Sequence, residues 1–284
     1  MPPRSSSNKE ARPRPRRTTT PAPAKPLFGG GSASARPAGY WALSTRPLHV
    51  LLFLTPLVLF YELGSFLYLD ASTEGARQMI LAQKLLGEFF QLFGAAGLFL
   101  PGIALITVLL IWHVLLGDRW KVRPGVLGGM TLESLAWTMP LLVLAAVYSG
   151  AAERMAMPAM AAPPGGDLYS LRWEARLTVA IGAGLYEEML FRLVLIALLH
   201  LVFADLLRLH STAAAAVAVA GAAIAFGLYH DVTLPTGGTN WPKLLFLTAA
   251  GAYLGTVYML RGFGIVAGTH AVYDIMVLVL LRSD

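Results

Sequence analysis

The chain of 284 residues has no cysteine, which excludes disulfides, thiolate metal sites and cysteine nucleophiles. It is also poor in charge: 13% of residues are Asp, Glu, Lys or Arg against 56% hydrophobic, and the mean hydropathy is +0.61. Such a balance excludes an ordinary soluble domain and marks an integral membrane protein. A general excess of positive charge is missing too. Residues 1–46 hold nine Lys/Arg and one acidic residue, leaving thirteen basic and fifteen acidic residues elsewhere. The sequence pI of about 9.7 therefore describes a tail, not the membrane body. The chain has no internal repeat, and no HExxH that would make zinc the first choice.

The tail reads SSSNKEARPRPRRTTTPAPAKP and then FGGGSASARPAG. Pro, Ser, Gly and Arg without apolar periodicity bury too little surface to offset chain entropy, so residues 1–40 are expected to be disordered. This segment lacks the small-residue cleavage site of a secretory signal and reads as a solvated tail marking the cytoplasmic side of the lipid bilayer. Nucleic acid is not expected as a partner. The remainder predicts an all-α, polytopic transmembrane helix bundle of about seven spans. They fall at 48–69, 93–116, 132–149, 176–203, 212–230, 244–260 and 263–281. Within residues 76–93, Arg77, Lys84, Glu88 and Gln91 share one helical face and Met79, Leu86, Phe89 and Phe93 the other, the pattern of an amphipathic helix lying in the interface. Pro101 and Pro140 kink or start their helices, as bundle neighbours allow.

The expected division is a tail over 1–40, N-terminal spans over 41–131 and a membrane core over 132–284. With the N-terminus cytoplasmic, fourteen Lys/Arg fall on the cytoplasmic side and seven on the other, which the positive-inside rule favours. The segment 150–174, containing MPAMAAPPGGD, is expected to be a flexible lid. Trp41, Trp112, Trp120, Trp173 and Trp241 sit near span ends and suit interfacial anchoring.

Against this apolar background a few residues stand out. Glu187, Glu188 and Arg192 lie in GAGLYEEMLFRLVLIALLHLVF, where a charge at the membrane centre costs about 3 kcal/mol. His230 ends IAFGLYH, and His270 and Asp274 lie in GTHAVYDIMVLVLL. Glu188 and Arg192 are one helical turn apart, in the favourable order for an ion pair. Glu187 points about 140° away from Arg192 and has no local cation, so it is the carboxylate free to act as a general base. His270 and Asp274 also share a face, and a carboxylate there orients the imidazole, holds it charged, or joins it in binding a metal. His230 on its own reads more readily as an interfacial residue than as a ligand. Glu62, in LFYELGSF, is a packing or substrate-gating residue, and His49, His113, His200 and His210 are span-end residues without motif partners.

EEMLFR at 187–192, FGLYH at 226–230 and HAVYD at 270–274 resemble the ordered motifs EExxxR, FxxxH and HxxxN of the CAAX protease and bacteriocin-processing (CPBP, or Abi) family of intramembrane endopeptidases, relatives of the type II CAAX prenyl endopeptidases. The resemblance covers roughly residues 130–284, which would make 132–284 the catalytic core. It implies that Glu187 and His230 activate a water for attack on a peptide carbonyl, and that His270 and Asp274 stabilise the oxyanion. Phe226, Glu188 and Arg192 would support them. Asp274 departs from the family's usual Asn. An ionised aspartate repels an oxyanion, so Asp274 is protonated, orients His270, or ligates a metal.

No cofactor is the favoured expectation. The alternative is a zinc enzyme using Glu187, His230, His270 and Asp274; a transporter or a non-proteolytic scaffold is the more distant reading. The resemblance implies a membrane-associated protein or peptide substrate, and a bacterial inner membrane as the setting. It does not choose among CAAX processing, leader removal, export sorting and peptide immunity.

Overall fold

A computed structural model of the chain describes residues 39–69, 85–88, 91, 100–154, 168–169, 171–234 and 237–281. The expected tail and most of the amphipathic segment 76–93 and of the segment 150–174 lie outside these residues. Among the described residues the architecture is all-α. The one β-type pairing is an isolated bridge between Thr233 and Thr239.

The helices are α1 (Tyr40–Leu43), α2 (Pro47–Tyr68), α3 (Leu100–Leu116), α4 (Pro124–Arg154), α5 (Trp173–Glu188), α6 (Ser211–Tyr229), α7 (Trp241–Arg261) and α8 (Phe263–Ile275). The helix begun by α5 continues to Leu206, and that begun by α8 to Leu280. Six of these helices are long and apolar enough to cross a membrane, and α3 is a shorter apolar helix. Of the seven expected spans, the one placed at 93–116 is thus described only from Leu100, with Pro101 in its first turn. The span expected at 132–149 starts earlier than expected, because α4 begins at Pro124. Proline suits a helix start, and Val126 and Met130 are already buried. Gly125, Gly128 and Gly129 dilute the hydropathy there and hid this start. Pro140 lies inside α4 rather than at an end.

Large apolar side chains cover the outside of the bundle: Leu115 is 80% exposed, Leu206 74% and Leu245 72%. Water would not tolerate such a surface, and lipid does. Helices pack in lipid without a hydrophobic driving force, so close approach at small residues carries the association. Gly184 of α5 shows this, since a Cβ there would lie 2.5 Å from the Ala271 backbone nitrogen of α8. Another glycine sets the turn. Gly262 adopts φ 77°, caps α7 through its N–H to the Tyr258 carbonyl, and starts α8 directly, a conformation that L side chains resist.

At the end of the bundle near that turn, Glu133 of α4 accepts hydrogen bonds from Tyr40, from Arg261 and from Trp137 Nε1 at 3.2 Å. Arg261 also donates to Ser44 Oγ at 2.8 Å and stacks on Trp41, 3.9 Å from its ring centre. Burial, together with its bond to Glu133, pushes the Tyr40 phenol up to about 12. The tyrosine therefore remains a donor throughout the neutral range.

Candidate active site

Three helices carry the polar exceptions. α5 supplies Glu187 and Glu188 near its end, α8 supplies His270 and Asp274, and His230 is the residue that stops α6. The Gly184–Ala271 contact brings α5 and α8 close enough for the two acidic residues to face His270.

Glu188 is fully buried, and its Oε1 accepts from Arg192 Nη1 at 2.8 Å and from His270 Nδ1 at 2.7 Å. The expected one-turn pair of Glu188 with Arg192 is present. What the sequence did not reveal is that the same oxygen also fixes His270. Arg192 is 1% exposed, donates through Nη2 to the Gly251 carbonyl of α7 at 3.2 Å, and lies 4.7 Å from the Phe226 ring centre. This guanidinium ties three helices together: its own, α6 and α7.

Immediately after Glu188 the helix widens into π turns over Met189–Ile196, a departure from the regular 3.6-residue period. Such widened turns are frequent at functional sites.

Glu187 is differently placed. It is 5% exposed and makes no hydrogen bond among the described residues. Its Oε2 lies 3.9 Å from His230 Nε2 and 4.0 Å from His270 Nε2. These separations are too long for hydrogen bonds. One water about 2.8 Å from both atoms of either pair fits the gap, with an angle near 90° at its oxygen.

Both imidazoles are oriented from behind. His230 Nδ1 donates to the Phe226 carbonyl at 2.8 Å, so its Nε2 faces Glu187. His270 Nδ1 is held by Glu188, and its Nε2 lies 3.5 Å from Asp274 Oδ2. Phe226 thus contributes a backbone acceptor to one histidine and an aromatic face to Arg192. Phe191 and Tyr229 pack their rings edge to face 5.2 Å apart beside it, an aromatic wall that no motif announced.

All four sequence-derived catalytic candidates, Glu187, His230, His270 and Asp274, come together, and Glu188, Arg192 and Phe226 surround them. Glu62 does not join the cluster. It accepts from the Tyr186 hydroxyl at 2.7 Å, which ties α2 to the residue just before Glu187. Among the described residues no three His, Cys, Asp or Glu side chains are placed to hold a metal ion.

A buried carboxylate faces two oriented imidazoles inside a polytopic helical membrane protein, an arrangement with the groups that acid–base chemistry needs. Residues 170–276 match the family described as type II CAAX prenyl endopeptidase Rce1-like. The match agrees with the family that the three motifs resemble, and all the residues of the cluster fall inside it. No match was found among curated proteins or among solved structures.

Proposed function

We propose that the protein is an intramembrane endopeptidase that hydrolyses a peptide bond in a membrane-associated protein or peptide, with water activated by Glu187 and His230. The observation that carries this reading is the gap of 3.9 Å and 4.0 Å separating one carboxylate oxygen from two ring nitrogens whose partners are already fixed behind them. The Rce1-like match supports CAAX-type endopeptidase activity in general; the roles of individual residues are our assignment.

In this mechanism a water sits between Glu187 Oε2 and His230 Nε2. His230 Nδ1–H is engaged by the Phe226 carbonyl, so Nε2 is an acceptor and holds the water by one of its protons. Glu187 takes the other proton as the water oxygen attacks the peptide carbonyl. The carbonyl oxygen becomes an oxyanion, to which His270 donates through Nε2–H. Glu188 keeps His270 cationic and correctly turned, as a second carboxylate does behind a working imidazole. Asp274 steadies the same ring. Glu187 then passes its proton to the leaving nitrogen, the C–N bond breaks, and the products are a carboxylic acid and an amine. On the same reading the N-terminus is cytoplasmic and the membrane a bacterial inner membrane.

The test is cleavage of a membrane-anchored peptide by purified protein in liposomes. Glu187→Gln is expected to insert normally and to lose cleavage by a factor on the order of a hundred or more. Turnover near that of the unmodified protein would remove Glu187 from the mechanism.

A further inference from the structure

The connection between α3 and α4, residues 117–123, reads GDRWKVR and is pinned at both ends. Asp118 pairs with Arg46, the residue just before α2, and the Arg123 N–H donates to His49 Nε2 at 3.4 Å. The connection's one acid is thus spent on a cation from elsewhere. Arg119 and Lys121 are exposed, with no acidic partner among the described residues.

A tight turn then draws these two cations together. The Lys121 N–H donates to the Arg119 carbonyl at 2.7 Å, which places Trp120 at the apex of a three-residue turn with one cation on either side. Like charges held this close repel, and an anion between them relieves the repulsion.

The surroundings of the turn say what kind of anion. Trp120 is 64% exposed, and its ring packs nearly perpendicular to that of His113, 4.4 Å away. His113 is 1% exposed and neither of its ring nitrogens has a hydrogen-bond partner, so a polar ring lies unsatisfied one side chain beneath the cations. A buried imidazole of this kind calls for a polar partner from outside the protein. Leu115 and Leu116, the last residues of α3, are 80% and 43% exposed. An indole where an apolar helix end meets a charged turn sits at the depth of lipid head groups. A soluble anion would use only the cations, whereas a phospholipid uses cations and leucines together.

We propose that this turn binds an anionic phospholipid, with the phosphate held between Arg119 and Lys121 and an acyl chain laid along Leu115 and Leu116. The guanidinium takes two phosphate oxygens in its fork and the ammonium takes another as a point charge. A zwitterionic lipid brings a cation of its own, which these two residues repel, so the net charge of the headgroup decides occupancy. None of these residues belongs to the cluster around Glu187, and occupancy is independent of peptide cleavage.

The experiment uses the full chain in a neutral detergent supplied with equal amounts of phosphatidylglycerol and phosphatidylcholine, with retained lipids counted by native mass spectrometry. The unmodified protein is expected to keep phosphatidylglycerol over phosphatidylcholine by about tenfold or more, since each cation near a lipid surface contributes roughly fivefold. Arg119→Gln combined with Lys121→Gln should erase that preference and leave phosphatidylcholine retention and the melting temperature unchanged. Arg119→Lys keeps the charge and should keep most of the preference, and millimolar inorganic phosphate should not displace the lipid.

Equal retention of the two lipids by the unmodified protein overturns the proposal, as does a double variant that still prefers phosphatidylglycerol. So does a preference that vanishes instead when Arg14, Arg16 and Arg17 of the tail become Gln. Displacement by inorganic phosphate would mark a soluble-anion site, and a double variant that melts lower and loses both lipids alike would mark a structural role; either result also overturns it.

Discussion

Two buried clusters of opposite charge occupy this bundle, and they are built to different ends. Around Glu133, every neighbour closes in. Tyr40, Trp137 and Arg261 all donate to its carboxylate, and Arg261 is itself taken up by Ser44 and stacked on Trp41. Around Glu187, the neighbours are oriented but held off, at 3.9 Å and 4.0 Å. The first arrangement leaves nothing for a ligand to do and ties helices together. The second leaves a carboxylate and two ring nitrogens unspent, at distances that a water or a substrate atom fills. Glu188 and Arg192 stand between the two types: paired with each other like the first, yet holding His270 for the second.

The comparison breaks most visibly at Arg192. Arg192→Ala leaves the buried Glu188 with His270 as its remaining partner and is expected to cost about 3–5 kcal/mol, read as an earlier unfolding transition in detergent. A variant that melts normally but is inactive would move Arg192 into the catalytic machinery. Next in size is Glu187→Gln, for which the loss of at least about a hundredfold in cleavage should come with no loss of thermal stability, because no hydrogen bond is given up.

Arg261→Ala should do the reverse. Glu133 retains Tyr40 and Trp137, so about 1–3 kcal/mol of stability is lost while turnover per folded molecule is unchanged. A fall in turnover would show that the cluster at the Gly262 turn and the site act as one. The smallest effect is expected from Asp274→Asn together with metal chelation. If Asp274 steadies His270 by hydrogen bonding, the amide retains most of the activity and chelators change little. Stoichiometric zinc in active protein, with activity lost on chelation and restored by zinc, would require the metal-dependent version instead.

The three motifs were legible because each is a polar exception in an apolar run, and the period of a helix then paired Glu188 with Arg192 and His270 with Asp274. The helical membrane class followed from composition and length alone. Contacts between helices were not legible. Glu188 and His270 are 82 positions apart, and their bond depends on how closely α5 meets α8, which two small residues decide. The Glu133–Arg261 cluster was missed for the same reason. Its members come from three separate stretches of chain, and Arg261 reads in sequence only as one more charge at a span end. The π turns after Glu188 leave no mark in a hydropathy pattern. The start of α4 at Pro124 was obscured because glycines dilute the hydropathy of a stretch in which only Val126 and Met130 are buried.

The Gly184–Ala271 contact divides the site into a fixed edge and a free one. With backbone against backbone, α5 and α8 have no slack to slide or part, so the height of His270 relative to Glu187 is set as firmly as the teeth of a closed zip. His230 has no such clamp; its side chain is 27% exposed and it is where α6 ends. Admission of a peptide is therefore expected to displace the His230 edge and leave the other untouched. A chain free of native thiols suits the measurement. A disulfide engineered between α5 and α8 should leave cleavage intact, and one engineered between α5 and the end of α6 should abolish it until reduced.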